Sequence, residues 1–288
     1  MEISYERLKE TRPILLWALE RSWTADHAAE VGCKLNANEN SAWLVLDGRA
    51  IVRHDGVEHV AAAGEWIFPR PGEREQRFEG PFHFLSITIN WQWPDGRHLF
   101  DHGLTRVAGV GDLPWLEAEA RDIVEETTAL TTTSSYYLGL GELTLSHAAR
   151  LFELGARWAA SFEQTMRELG VTPDLGLLGD PRIEEALRSI AGMPPDEPLD
   201  RDSISARVGL SVRQLDRLLK QSTGRTLGEY HDGIRFDAAS RKLLEPGIRI
   251  KEVASSFGFS DLASFSRWFS RRSGRSPRDF RANFGCGE

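Results

Sequence analysis

One supersecondary unit occurs twice in the last third of this chain, and that repeat limits what the region can fold into. The segments ISARVGLSVRQLDRLLKQSTGRTLGEY (204–230) and VASSFGFSDLASFSRWFSRRSGRSPRDF (253–280) run in step. Gly209 matches Gly258 and Ser211 matches Ser260. After one inserted residue, Leu215 matches Phe265, Arg217 matches Arg267, Leu219 matches Phe269, Gly224 matches Gly274 and Tyr230 matches Phe280. Self-similarity at fixed spacing marks one structural unit used twice.

Each copy reads as helix, tight turn, helix. In the first, Asp202 to Val208 forms a short helix, Gly209 supplies the turn, and a second helix runs from Val212 to about Thr223, stopping near Gly224. In the second, Ile250 to Phe257, Gly258 and a helix ending near Ser273 and Gly274 repeat the plan. Ser211 and Ser260 are the expected N-caps, because a hydroxyl there accepts from the first orphan N–H groups of the helix. Ser276-Pro277 opens a last short helix. Between the copies, TLGEYHDGIRFDAASRKLLEPG predicts one long helix ended by Pro246-Gly247. Its apolar stripe is Ile234, Ala238, the stem of Arg241 and Leu244, widened by Phe236 and Leu243. In this geometry the second helix of each unit enters the major groove of DNA, and two held on one face reach consecutive grooves about 34 Å apart.

Charge agrees with that division. The chain carries a formal net charge of -8. From Ser203 onward, however, 16 Lys and Arg face 9 Asp and Glu. A basic end on an acidic protein suggests a polyanionic partner for that end. Cys33 and Cys286 are the only cysteines, so a disulfide framework or a thiolate metal site is not expected, and a reducing cytoplasm fits. No apolar run approaches the roughly 18 residues of a membrane span, and the charged N-terminus does not read as a secretory signal.

The first half changes period. Residues 41–93 read as short strands, with Asp47-Gly48 and Asp55-Gly56 as turns. In HFLSITINWQW, His83, Leu85, Ile87, Ile89, Trp91 and Trp93 alternate with Phe84, Ser86, Thr88, Asn90 and Gln92, which assigns the first set to the interior face. From Leu113 the spacing is helical: LPWLEAEARDIVEETTAL gives one helix, and the run from Ser134 to Gly170 a second, with Leu140, Leu143, Leu151, Leu154, Trp158, Phe162 and Met166 on its apolar side. One stripe packs on the strands; the pair could also form a dimer face. VTPDLGLLGDPR then reads as a linker.

The order LVLDGRAIVRHDGVEHVAAAGEWIFPRPGEREQRF resembles the cupin sensor barrels of bacterial regulators, over roughly residues 25–95. Metal-dependent cupins place histidines before the first turn and after the Pro-rich turn. Here those places read CKLNANEN and Glu73-Arg74-Glu75-Gln76, without histidine, and His54, His59 and His83 do not complete a set. No metal or cofactor is therefore expected. A small molecule in the barrel mouth is, with Trp43, Trp66, Trp91 and Trp93 as an aromatic wall and Arg53 and His83 as polar contacts. Such walls suit sugars and other flat or amphipathic ligands. For any single one of these tryptophans, filling a core is the better reading.

The second half resembles the AraC/XylS family of transcription regulators over roughly Arg182 to Ala282. The resemblance rests on ARVGLSVRQLDRLLKQSTGRTLGEY, on Arg235, Ala239 and Leu243-Leu244 in the linking helix, and on IKEVASSFGFSDLASFSRWFSRRSGRSPRDFR. It implies an α+β protein with four parts: a cupin-like β-barrel (1–112), a helical dimerisation or packing region (113–170), a linker (171–181), and an all-α double helix-turn-helix DNA-binding domain (182–288). It also implies base-facing residues at Arg213, Gln214, Asp216 and Arg217 in the first copy, and at Asp261, Ser264, Ser266 and Arg267 in the second. Arg suits guanine and Gln adenine. Asp216 could instead pair with Arg213 or Lys220. Arg271, Arg272, Arg275 and Arg278 suit phosphates, which add affinity without sequence choice.

The function so implied is sequence-specific, ligand-controlled regulation of transcription without catalysis. Activation through RNA polymerase, a homodimer, double-stranded DNA as partner and a place in the bacterial cytoplasm at the nucleoid all follow from the family. Two alternatives stay open at this point: a cupin-type enzyme fused to a DNA-binding domain, and a regulator whose barrel only dimerises.

Overall fold

Two long antiparallel strands organise the N-terminal half. They are β3 (Asn40–His54) and β6 (Gly72–Asn90), paired along almost their whole length. Around them β1 (Ile14–Trp23), β2 (Cys33–Ala37), β4 (Val57–Ala62), β5 (Glu65–Phe68) and β7 (Arg106–Gly109) complete a seven-stranded sheet in the order β1-β6-β3-β5-β7, with β2 also on β6 and β4 also on β3. The computed structural model describes residues 11, 13–37, 39–93, 97–100, 103, 105–130, 138, 143–175, 180–245 and 247–284.

The β3–β6 ladder shifts register between Val45 and Arg49, where both strands bend. Gly48 makes the bend possible. Its φ is 78°, and a Cβ there would lie 2.4 Å from the carbonyl oxygen of Pro81. No L side chain fits that approach.

Both faces of the sheet are covered. Leu85, Ile87, Ile89, Trp91 and Trp93 do share one core, as their alternation predicts, but His83 lies outside it, half-exposed. The opposite set is buried too: Phe84 joins a second core, and Ser86 and Thr88 are enclosed. Period two separates faces, but it cannot say which is wet when neither is. The first core lies under α2 (Leu116–Leu130) and α3 (Leu145–Glu168), with Trp158 and Phe162 fully buried. Arg157 joins the two helices through Glu119 (2.7 Å), Asp122 (2.6 Å) and Glu126 (3.1 Å). The second core lies under α1 (Ala25–Val31). Neither β1 nor α1 was legible from the turn signals, which begin after residue 40. The helix expected from Ser134 starts at Leu145, behind the N-cap Thr144; Leu140 lies outside the described residues.

The C-terminal half is helical throughout: α4 (Pro181–Ala191), α5 (Arg201–Arg207), α6 (Val212–Thr223), α7 (Leu227–Leu243), α8 (Ile250–Ser256), α9 (Leu262–Ser273) and α10 (Pro277–Phe284). Gly209 and Gly258 take φ of 66° and 74° at the two turns, and Gly224 and Gly274 close α6 and α9 in the left-handed conformation. The first unit packs Leu215 and Leu219 with Ile183, Leu187 and Ile190 of α4. The second packs Phe265, Trp268 and Phe269 with Val253 and Phe257. α7 supplies both cores, Leu227 and Tyr230 to the first, Phe236, Ala239 and Leu243 to the second. It ends at Leu243; Pro246, read as its stop, lies outside the described residues.

Gly48→Ala forces a side chain onto the Pro81 carbonyl in a strained φ region. A loss of at least about 1–3 kcal/mol in chemical denaturation is expected from the backbone conformation alone. Gly56→Ala, with no atom within 4 Å of its Cβ, isolates the conformational part from the collision.

Candidate nucleic-acid interface and cavity

The first turn of each second helix is shaped by its cap. At α6 the Ser211 hydroxyl accepts from the Gln214 N–H (3.3 Å), and the Gln214 side-chain oxygen accepts from the Ser211 N–H (3.0 Å). This capping box occupies the acceptor with which Gln214 would read a base. At α9 the cap is Asp261, not Ser260: its carboxylate accepts from the Ser264 N–H (2.7 Å) and hydroxyl (2.8 Å). Those two bonds, the backbone one foremost, hold the Asp261 carboxyl below its ordinary pKa. Asp261 stands fifty residues after Ser211, the offset that also relates Leu215 to Phe265. The inserted residue therefore falls in the turn, before the cap.

Past the caps, the side chains divide by face. Arg213, Gln214 and Arg217 on α6 are exposed while Leu215 and Leu219 are buried. Asp216 turns aside: it accepts from the N–H of Leu227 (2.9 Å) and pairs with Arg201 (3.4 Å), neither of the partners expected for it. It ties α6 to the start of α7. On α9, Arg267 and Arg271 are exposed, and Ser264 and Ser266 half-buried. The Arg267 guanidinium donates to the Ser264 hydroxyl at 3.3 Å.

The arginine cluster is less uniform than its sequence. Arg272 stacks over Trp268 (5.2 Å) and pairs with Asp232 of α7. Arg275 donates to backbone carbonyls of the N-terminal half. Arg281 donates to the Leu243 carbonyl at 2.7 Å, and burial lowers its pKa. Arg278 is exposed. Arg235, on α7, donates to Pro195 O (2.8 Å) and to Phe257 O, and lies over Phe259 and Trp268.

A cavity of about 140 Å³ lies between the sheet and the helical half. Trp17, Trp23, Trp43, Phe78 and Phe84 wall it on one side, and Phe236, Leu244 and Phe280 on the other. Trp23 sits 4.6 Å from Phe84 and 5.2 Å from Phe78 between ring centroids. One strongly charged donor enters this wall: Arg74, only 6% exposed, donates to Gln76 (3.2 Å) and lies 5.4 Å over the Trp43 ring. Glu39 and Asp237 also line the space. Burial, then the charges of Arg74 and Arg70, push His54 down to about 4, so that ring is neutral near pH 7.

Of the residues read as ligand contacts, Trp43 lines the cavity. Trp91 and Trp93 are core, with ring N–H groups donating to Thr11 (3.1 Å) and Asp174 (2.8 Å). Trp66 is fully buried in the same core. Arg53 pairs with Glu58 (2.9 Å) on the β3–β4 hairpin, and His83 with Glu20 (2.9 Å), both away from the cavity. Missed were Trp17, whose ring N–H donates to Ser86 (3.0 Å), and Arg74. The stretch GEREQRF carries no signal for this, since it reads as hydrophilic, yet in the structure Arg74, Gln76 and Phe78 are buried at period two, between exposed or half-exposed Glu73, Glu75 and Arg77. Among the described residues, no three His, Cys, Asp or Glu are grouped to hold a metal ion. No described helix is long and apolar enough to cross a membrane.

Comparison with known proteins meets this geometry. Residues 204–283 match the family described as helix-turn-helix domain. A probable transcription factor of Proteus vulgaris, PqrA, is 35% identical over 88 residues, covering 31% of this chain and 72% of that protein. The transcriptional activator RhaR of Cronobacter sakazakii is 30% identical over 108 residues, so the chain spans only 38% of that relative's length. Among solved structures, an apo single-residue variant of ToxT from Vibrio cholerae superposes with a TM-score of 0.56 over 96% of both chains. At 11% identity that likeness is one of fold.

Arg217→Ala and Arg267→Ala each remove an exposed donor from the second turn of its helix. Each is expected to weaken specific DNA binding by about 1–3 kcal/mol, read by fluorescence anisotropy on the cognate site. Arg272→Ala is expected to lower thermal stability instead, through the lost Asp232 and Trp268 contacts.

Proposed function

The chain belongs to the AraC/XylS family of transcription regulators, and on that premise we propose that it activates transcription from a DNA site read by α6 and α9. The observation that carries this is the exposed pair Arg213 and Arg217 on one repeat, and Arg267 and Arg271 on the other, mounted on one linking helix. Two base-reading surfaces held in one rigid frame suit a site of two successive major grooves. In this reading residues 182–288 bind double-stranded DNA and contact RNA polymerase, at the nucleoid in the cytoplasm; activation is supported by the name of the similar protein RhaR, a transcriptional activator. Residues 1–112 form a cupin-like sensor, 113–170 its helical flank and 171–181 the linker. Genome-wide mapping of bound sites tests it: two half-sites about 10 base pairs apart are expected. Binding without sequence preference would overturn it.

The cavity supplies the control. Its walls are aromatic and aliphatic, and a sugar would leave most hydroxyls unpaired there. An amphipathic carboxylic acid fits better, its apolar body among Trp17, Trp23 and Phe236 and its head at Arg74. Thermal melting against fatty and aryl carboxylic acids, with sugars as the contrast, reads this directly. A carboxylic acid at a hundred times its Kd is expected to stabilise the fold by about 2.7 kcal/mol. Arg74→Met should abolish that shift.

Dimerisation has its own support. Leu145 and Phe152 of α3 are 88% and 62% exposed, and Ala149 and Ala156 lie exposed at heptad-like spacing with them. Such a stripe suits a second copy of the same helix. Phe152→Asp is expected to convert a dimer to a monomer in sedimentation, with the thermal midpoint of the monomer retained.

A further inference from the structure

Arg275 stands in the loop between α9 and α10, among residues whose charge suits phosphate. Its surroundings say otherwise. The guanidinium Nη2 donates to Glu30 O (2.9 Å), Val31 O (3.1 Å) and Gly32 O (2.6 Å). The first two are terminal carbonyls of α1, which have no partner inside the helix, and a cation there also faces the negative end of the helix dipole. α1 belongs to the N-terminal half, and Arg275 to the second DNA-reading unit.

The loop is built to present this side chain. Ser273, 2% exposed, accepts from the Arg275 N–H (3.1 Å) and donates to the Arg275 carbonyl (2.7 Å). The first repeat holds its loop the same way: Thr223 accepts from the Arg225 N–H at 3.2 Å. Fifty residues separate the two arginines, so the repeat supplies its own comparison. The hydrogen bonds to α1 belong to Arg275.

We infer that Arg275 is an interdomain latch, not a phosphate contact, and that it fixes the second reading unit against the N-terminal half. The two uses exclude one another, because a guanidinium capping α1 is turned towards the sheet domain. The latch also sits at the rim of the cavity: Val31, whose carbonyl accepts from Arg275, and Ser273, which holds its backbone, both line that space. Resting on the effector reading above, this makes the latch the contact that a filled cavity strains or secures.

Hydrogen exchange of the full-length protein, without DNA or effector, tests the latch apart from both functional readings. In Arg275→Ala, amides of residues 25–32 are expected to exchange about tenfold faster, the scale of losing charge-assisted hydrogen bonds. Arg275→Lys keeps the charge without the fork and should give a smaller increase. Arg225→Ala should leave residues 25–32 unchanged. Affinity of Arg275→Ala for the mapped site should stay within about twofold of the parent or tighten, with the same salt dependence. Unchanged exchange in Arg275→Ala, or an equal rise in Arg225→Ala, overturns the latch. So does weaker DNA binding with a salt slope shallower by about 0.9, the signature of one lost phosphate contact.

Discussion

Everything the C-terminal half does depends on one helix serving two cores. Leu227 and Tyr230 of α7 are buried with the first helix-turn-helix unit, and Phe236, Ala239 and Leu243 with the second. Burying a large apolar side chain is worth about 1.5–3 kcal/mol, so neither unit can leave α7 without losing several such terms. The spacing and angle of α6 and α9 are thereby set before any DNA arrives. This is pre-organisation: little ordering remains to oppose binding. The same helix presents Asp237 and Ser240 to the cavity, so an effector there would touch the frame that holds both readers.

Charge is sorted by this frame. The arginines of the last repeat look equivalent in sequence, yet they perform three tasks. Arg267 and Arg271 face solvent on the reading helix. Arg272 lies over Trp268 and pairs with Asp232, and Arg235 of the linking helix also lies over Trp268 while donating to the carbonyl of Phe257. Arg275 reaches the other half of the molecule. Guanidinium suits all three uses because it is planar, always charged and weakly hydrated. A count of positive residues therefore overstates the number that can meet phosphate.

The N-terminal half shows how far pattern reading extends. The hairpin turn at Asp55-Gly56, the helical period after Leu113 and the alternation of Leu85, Ile87 and Ile89 were legible, because each is local, whereas Asp47-Gly48, read as a turn, lies inside β3 at a register shift of its ladder. β1 and α1 were not, since ILLWALERSW and the short ADHAAEV carry no turn dipeptide or long stripe. The cavity escaped for a related reason. It lies on the sheet face that alternation marked as outward, and its charged residue, Arg74, stands in a stretch that reads as hydrophilic throughout. The acid excess of this half, set against the basic reader, disfavours its approach to phosphate.

By itself the amino-acid sequence determined the repeat, the second helix of each unit almost to the residue, and the family they belong to, because turn glycines and apolar spacing are properties of neighbouring residues. The tertiary structure alone decided which arginines stay outside, where Asp216 turns and where the cavity opens. Those outcomes depend on groups brought together from distant positions: Asp232 to Arg272, Glu30 to Arg275, Phe236 to Trp17 across the cavity. A side chain's type limits the partners it can take, and only the packing of whole elements determines which of them it meets.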